Sequence, residues 1–160
     1  MASYSLVVSK QRAPANSKTG IPIVADTRQM TVLARDLRRA SPEAWKACRV
    51  ALRAAGQVVA DDAKQRASFS TRIPGSIKVR VARGNVKVVA GGPAAPNAAP
   101  LENKGRAGKF RHPVFGDRER WVDQPARPFL APALEAHREE VAKAIEDAVY
   151  AATVRVIGGR

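Results

Sequence analysis

SPEAWKACRVALRAAGQVVADDAKQR, residues 41–66, is the stretch that decides the fold, because it predicts one long helix with a single apolar face. Ser41 is a favourable N-cap, Pro42 suits the first helical position, and Glu43 places an acid in the first turn. Apolar residues then recur at spacings of three and four, which is typical of an ordinary core face. These residues are Trp45, Cys48, Leu52, Ala55 and Val59. Gly56 lowers helix stability by about 1 kcal/mol relative to alanine, so it indicates the close approach of another element.

One shorter helix and a β-hairpin are predicted on either side of this stretch. The upstream helix runs from Met30 to Arg39. Downstream, the apolar period changes to two over Ser76–Val81 and again over Asn85–Ala90, with a turn signal in the sequence between them. The first strand therefore has an apolar face for the core, formed by Ile77, Val79 and Val81. Its other face carries Lys78 and Arg80, a pattern that suits a solvated face as well as a binding face.

A second informative stretch, Gly105–Leu134, combines aromatic, basic and proline residues in a segment with only weak strand signals. It contains half of the aromatic residues of the chain, and so many rings in an irregular segment indicate a contact surface rather than a simple solvent loop. A basic loop is predicted first, facing DNA or a protein partner: Lys104, Arg106, Lys109, Arg111, Arg118 and Arg120. A rigid corner at a subunit interface is predicted next: Trp121, Arg127, Pro128, Phe129 and Leu130.

The order of elements predicts an α+β fold. Helices pack on a small antiparallel sheet, followed by the long basic loop or an extended hairpin and by a C-terminal helix that begins between Pro128 and Pro132. At 160 residues the chain is long enough for one domain with a real core. We expect an extended N-terminal arm over residues 1–29 and a single domain over residues 30–160. Two short apolar segments of the arm, Leu6–Val8 and Ile21–Val24, suit edge strands or contacts with a neighbouring subunit.

Charge and composition narrow the class of function. The net charge is +14, and between Ala63 and His112 Glu102 is the only acid against eleven lysine and arginine residues. Such asymmetry favours contact with a polyanion or an acidic partner. The single cysteine, Cys48, excludes an internal disulfide framework and suits a buried thiol. No apolar run approaches the ~18 residues of a membrane span, so we expect a soluble protein made in a cytoplasm.

Catalytic patterns find no support in this sequence. The two histidines, His112 and His137, have no cysteine or second histidine at ligand spacing, so no metal site is predicted. Phosphate-binding loops, nucleophile elbows and dinucleotide fingerprints are missing from the sequence as well. We therefore expect neither an enzyme nor a cofactor, and His137 is expected to be a solvated helix residue.

Several segments, taken in order, resemble the small head–tail joining proteins of long-tailed bacteriophages, which are also called neck, tail-completion or minor tail proteins. The resemblance covers roughly residues 32–152. It rests on the mid-helix segment Ala51–Lys64, the hairpin start Ser76–Val79, the segment Ala99–Gly105 with its acid near a glycine, the patches His112–Gly116 and Gln124–Pro125, and the corner Arg127–Leu134.

The resemblance implies a structural virion protein of the phage neck. Copies would form a ring of six-fold or twelve-fold symmetry that joins head to tail, as a neck ring or a tail terminator. Other neck and tail proteins would be its partners, and genomic DNA would pass through the lumen without sequence recognition. No membrane, small-molecule substrate or catalytic residue is implied. The alternative left open by the charge is a free-standing nucleic-acid-binding protein that does not read sequence.

Overall fold

The computed structural model describes residues 2–6, 27–103, 106–114 and 117–158. The strands are β1 (Ala2–Leu6), β2 (Lys78–Ala82), β3 (Asn85–Ala90), β4 (Lys109–Val114) and β5 (Asp117–Pro125). The helices are α1 (Thr27–Ala40), α2 (Pro42–Arg66), α3 (Ile73–Ser76), α4 (Ala98–Glu102), α5 (Leu130–Ala136) and α6 (Arg138–Gly158). The predicted α+β class is confirmed.

The long helix α2 is the centre of the core. It begins as predicted, because the Ser41 hydroxyl oxygen accepts a hydrogen bond of 3.1 Å from the Ala44 backbone N–H. Its apolar stripe is buried, apart from the half-buried Trp45, and packs against α1, α5, α6 and the strands β2 and β3. Cys48 lies within this core, and burial raises the pKa of its thiol. The cysteine is therefore a protonated packing residue at neutral pH.

Three antiparallel strands form the main sheet, in the order β1-β3-β2. The β2–β3 hairpin closes through Arg83 and Gly84, which have φ values of 51° and 78°. Two residues with positive φ make the type I′ turn whose twist matches that of the flanking strands. A Cβ on Gly84 would also lie 2.6 Å from the Met30 carbonyl oxygen. Glycine is therefore required at this position both by the turn and by the contact with α1.

The start of the predicted N-terminal arm belongs to this sheet. Residues 2–6 pair antiparallel with β3, with Ala2 opposite Ala90 and Leu6 opposite Val86. This strand ends where the first predicted edge segment begins. The remainder of that segment and the second one, Ile21–Val24, lie outside the described residues.

Of the two alternatives for the basic segment, a long loop or an extended hairpin, the structure shows the hairpin, in which β4 and β5 pair from Lys109 opposite Pro125. The short helix α4, which lies between β3 and this hairpin, is not among the elements predicted from the sequence. The C-terminal helix is interrupted at His137, where α5 ends and α6 begins.

His137 is a bridging residue rather than a solvated one. Its Nε2 lies 3.3 Å from the Asp62 carboxylate on α2, and its Nδ1 lies 3.0 Å from Glu140 on α6. Arg66 donates to the same Asp62 carboxylate at 2.9 Å. These contacts hold the break between α5 and α6 against the end of α2.

We expect His137→Ala to lower the free energy of unfolding by about 1 kcal/mol, because the polar contacts of His137 with Asp62 on α2 and with Glu140 on α6 are lost. Thermal and urea unfolding would measure the change. His112→Ala, which removes the other histidine from the β4–β5 hairpin, is the control and should change stability by less than about 0.5 kcal/mol. Equal effects of the two substitutions would contradict the bridging role.

Candidate assembly interface

The β4–β5 hairpin projects from the domain, and its antiparallel pairing extends from Lys109 opposite Pro125 to Pro113 opposite Trp121. All nine residues of β5 are exposed. On β4 the side chains alternate between exposed and half-buried, and Phe110 packs partly against the core. Because an isolated two-stranded hairpin is only marginally stable in water, a hairpin this exposed is typical of a segment that contacts a partner.

One face of the hairpin, here called the outer face, carries the exposed β4 residues Lys109, Arg111 and Pro113 and their cross-strand neighbours on β5. Asp123 lies directly opposite Arg111 in the pairing. The Arg111 guanidinium carbon is 5.9 Å from the centre of the Trp121 ring, within the range of a cation–π contact. Trp121 nevertheless remains 48 % exposed. An exposed tryptophan held by an arginine is the residue combination that dominates many protein interfaces.

The tip of the hairpin is shaped by an acid. Asp117 Oδ1 accepts hydrogen bonds from the backbone N–H groups of Glu119 and Arg120, at 2.9 and 3.2 Å. The pairing jumps from Pro113 opposite Trp121 to Val114 opposite Asp117, which leaves the three residues between the two β5 partners outside the ladder. The tip is therefore a bulge that presents charged side chains to solvent.

The predicted basic loop carries acids as well as cations, so its net positive charge is smaller than its number of cations. Arg106, Lys109, Arg111, Arg118 and Arg120 are all exposed, whereas Lys104 lies outside the described residues. The hairpin itself carries four cations and three carboxylates. The cations are Lys109, Arg111, Arg118 and Arg120, and the carboxylates are Asp117, Glu119 and Asp123. Mixed charge of this kind suits a protein partner better than a polyanion.

The base of the hairpin is fixed by Glu102, the last residue of α4. Its carboxylate accepts three backbone hydrogen bonds: from Phe129 and Leu130 to Oε2, at 2.8 and 2.9 Å, and from Ala131 to Oε1 at 2.9 Å. Glu102 is only 1 % exposed. The first N–H groups of a helix have no partner within the helix and attract negative charge. The buried carboxylate therefore satisfies the start of α5 from a residue 27 positions earlier in the chain.

Two further backbone bonds and a ring cluster complete the base. The Ala126 N–H donates to the Gly108 carbonyl oxygen at 2.7 Å, and the Arg127 N–H donates to the Leu101 carbonyl oxygen at 2.9 Å. The Arg127 guanidinium lies 5.4 Å from the Phe69 ring centre, and that ring meets Phe129 edge-on at 6.5 Å. The hairpin is thus joined to the domain through a well-bonded corner.

Within the predicted corner, the structure separates core residues from surface residues. Phe129 and Leu130 are fully buried in the core of their own chain, Pro128 is half-buried, and Arg127 is exposed. Trp121 lies out on β5 rather than in the corner. Buried side chains stabilise the corner from within, so a subunit contact in this region falls to Trp121 and the exposed residues beside it.

A second exposed surface, not predicted from the sequence, lies on the C-terminal half of α6. Tyr150, Val154 and Ile157 follow one another at spacings of four and three, so they share one helix face. They are 72 %, 48 % and 71 % exposed. We call this face the α6 apolar face. Exposed aromatic and branched side chains grouped in this way are typical of interaction surfaces.

Within the described residues, no group of three or more histidine, cysteine or acidic side chains could hold a metal ion. Among the described helices, none combines the length and the apolar character needed to cross a bilayer.

Part of the chain matches a known protein family. Residues 32–105 match the model of a family described as "Bacteriophage HK97-gp10, putative tail-component". The resemblance to phage head–tail proteins predicted from the sequence is therefore confirmed over that segment, which contains most of α1, all of α2, the β2–β3 hairpin and Glu102. The match supports a structural, tail-related role in a bacteriophage virion. Neither the curated proteins nor the solved structures give a match to the chain.

Proposed function

We propose, from the similarity to a phage tail component, that this protein is a structural subunit of the phage neck. Copies of the chain associate into a closed ring that joins the head to the tail, and DNA passes through its centre. The observation that supports this proposal most directly is the β4–β5 hairpin, which is exposed on the whole of β5 yet anchored at its base by Glu102. An anchored hairpin whose second strand is exposed throughout, within the part of the chain that the structure describes, suits contact with the next subunit.

The α6 apolar face is the surface on which we propose that the hairpin docks. Its apolar side chains complement Trp121, which is exposed on the outer face of the hairpin. The segment from Leu130 to Gly158 carries five carboxylates and three cations. This excess of negative charge favours contact with the arginines of the hairpin. Two different surfaces that meet head to tail generate a ring when the rotation between copies closes. Six or twelve copies are the numbers implied by the resemblance.

The test is a double-mutant cycle in which the self-association constant of each variant is measured. Native mass spectrometry gives the oligomer mass, and analytical ultracentrifugation gives the association constant. We expect Trp121→Ser and Ile157→Ser each to weaken association by about tenfold or more, because each removes an exposed anchor from one side of the same contact. The double variant should be no weaker than the stronger single one, since coupled residues are not additive. Val32→Ser is the matched control, because Val32 is 47 % exposed on α1.

The proposal fails if the wild-type chain stays monomeric at high micromolar concentration and also fails to join heads to tails. A ladder of growing masses instead of one discrete oligomer would exclude a closed ring. Additive effects of Trp121→Ser and Ile157→Ser would exclude the docking of the hairpin on the α6 apolar face. A monomer that binds DNA would favour the alternative, a free-standing nucleic-acid-binding protein.

A further inference from the structure

The surface charge of residues 63–112 is more one-sided in the structure than in the sequence. Glu102 is the only acid of this segment, and it is buried with its carboxylate turned to the backbone of α5. No carboxylate from this segment therefore reaches the surface, and among its described cations only Lys64 and Arg66 form ion pairs, with Asp61 and Asp62 from just outside it. An unbalanced positive surface attracts polyanions over distances of about a Debye length, ~8 Å at physiological salt.

Part of this charge converges on a groove of about 650 Å³ beside β2. Arg72, Lys78 and Arg80 line the groove together with the backbone that follows β3. Lys78 and Arg80 stand on the face of the sheet opposite α2, since Val79 between them packs against the core. Among the described residues, none of these three cations forms an ion pair.

Protection of a sheet edge does not account for this arrangement. Lysine on an edge strand discourages pairing with other chains, and β2 is the last strand of the described sheet. However, Arg72 lies outside the sheet, just before α3, and still lines the same groove. Lys87 also stands directly opposite Arg80 across the ladder, although like charges in that position destabilise a sheet. Convergence of cations at the expense of stability is typical of an anion-binding surface.

We propose that this groove binds the phosphodiester backbone of duplex DNA without reading its sequence. No aromatic side chain lines the described groove, so it offers no surface on which single-stranded bases stack. The one hydroxyl in the lining is engaged, because Ser76 donates to the Ile73 carbonyl oxygen at 2.7 Å and accepts from the Gly91 N–H at 3.0 Å. Lysine and arginine side chains that do not reach the base edges contact the phosphates instead. This binding goes beyond the proposed neck ring and does not require it.

Fluorescence anisotropy of a labelled duplex of mixed sequence, titrated with the full chain at salt concentrations from ~50 to ~200 mM, tests the proposal. The variant Arg72→Ala/Lys78→Ala/Arg80→Ala should reduce the slope of log affinity against log salt by about 3, one for each phosphate contact. Its affinity at ~100 mM salt should fall by about tenfold or more. The control variant Lys46→Ala/Arg49→Ala/Arg53→Ala removes the same charge from the exposed face of α2 and should keep the wild-type slope.

Three outcomes would overturn the proposal. Equal loss of slope in both variants would mean that net charge, rather than the groove, holds the DNA. Displacement of the duplex by inorganic phosphate at matched ionic strength would indicate a small-anion site. Binding to phosphatidylserine vesicles without binding to the duplex would indicate a lipid surface. Because the groove variant leaves Trp121 and the α6 apolar face intact, it should still self-associate, and failure of one proposal can be told from failure of the other.

Discussion

Glu102→Ala is expected to destabilise the protein by about 4–6 kcal/mol, the largest effect of any substitution considered. The alanine leaves the N–H groups of Phe129, Leu130 and Ala131 buried without acceptors, and each buried unsatisfied donor costs about 1–3 kcal/mol. Domains of this size have a total stability of about 5–15 kcal/mol. At about 2–4 °C per kcal/mol, the melting temperature should fall by ~10–20 °C. Differential scanning calorimetry and urea unfolding would measure the loss.

Comparing Glu102→Gln with Glu102→Ala separates the stability contributed by the three hydrogen bonds from that contributed by the volume of the side chain. Glu102→Gln keeps the shape and one carbonyl oxygen, so it can still accept from Phe129 and Leu130 while its amide group faces the Ala131 N–H. We expect a loss of about 2 kcal/mol for this variant. The control is Glu135→Ala on the exposed side of α5, with an expected change within about 0.5 kcal/mol. If Glu102→Ala were no worse than this control, the carboxylate would not be what holds the corner.

Gly56→Ala is expected to destabilise the protein by about 2 kcal/mol, although helix propensity alone favours alanine by about 1 kcal/mol. A Cβ at this position would lie 2.6 Å from Val86 Cγ1 and 2.8 Å from Val79 Cγ1. Valine is rigid about χ1 and belongs here to strands packed on α2, so neither methyl group can rotate away easily. Overpacking of about 3 kcal/mol then exceeds the gain in propensity. Urea unfolding of the single variant gives the sign directly.

Removing the methyl groups of Val86 should reduce this overpacking, while the contact with Val79 remains. In the double variant Gly56→Ala/Val86→Ala the new Cβ occupies part of the space that the valine leaves, so its instability should be smaller than the sum of the two single changes. Gly75→Ala is the control, because a Cβ there would meet no atom within 4 Å. A stabilising Gly56→Ala would show that the sheet moves away from α2 without loss, against the close contact described above.

The parts of the fold that the sequence predicted are those specified by neighbouring residues. Ser41 and Pro42 mark the start of α2, and the strands around Gly84 are visible from their period of two. Gly56 indicated a close approach, and Val79 and Val86 provide it. The break at His137 was missed because it depends on Asp62, a residue of another helix. Contacts between distant elements leave no periodic signal in a single sequence.

The candidate interface was predicted in outline only. The aromatic and basic composition of Gly105–Leu134 pointed to a contact surface, and the β4–β5 hairpin lies there. Its strands were indistinct because β5 is exposed on both faces, so no apolar alternation marks it. Phe129, predicted as part of an interface corner, is buried in its own chain, because its burial depends on the packing of α5 against α2. The sequence shows Glu102 as the only acid of a basic segment. Its role depends on the backbone N–H groups at the start of α5, which only the structure places beside it.

The exposure of β5 also affects how such a protein can change over generations. Side chains along this strand are exposed, so under the proposed docking their substitution should affect association more than folding. The hydrogen bonds of Glu102 at the base of the hairpin do not depend on the β5 side chains. If the hairpin docks as proposed, a lineage can alter which neighbour the subunit recognises through β5, at little cost to the stability of the domain. Exchange of this single hairpin between related chains is the corresponding route for redirecting assembly in the laboratory.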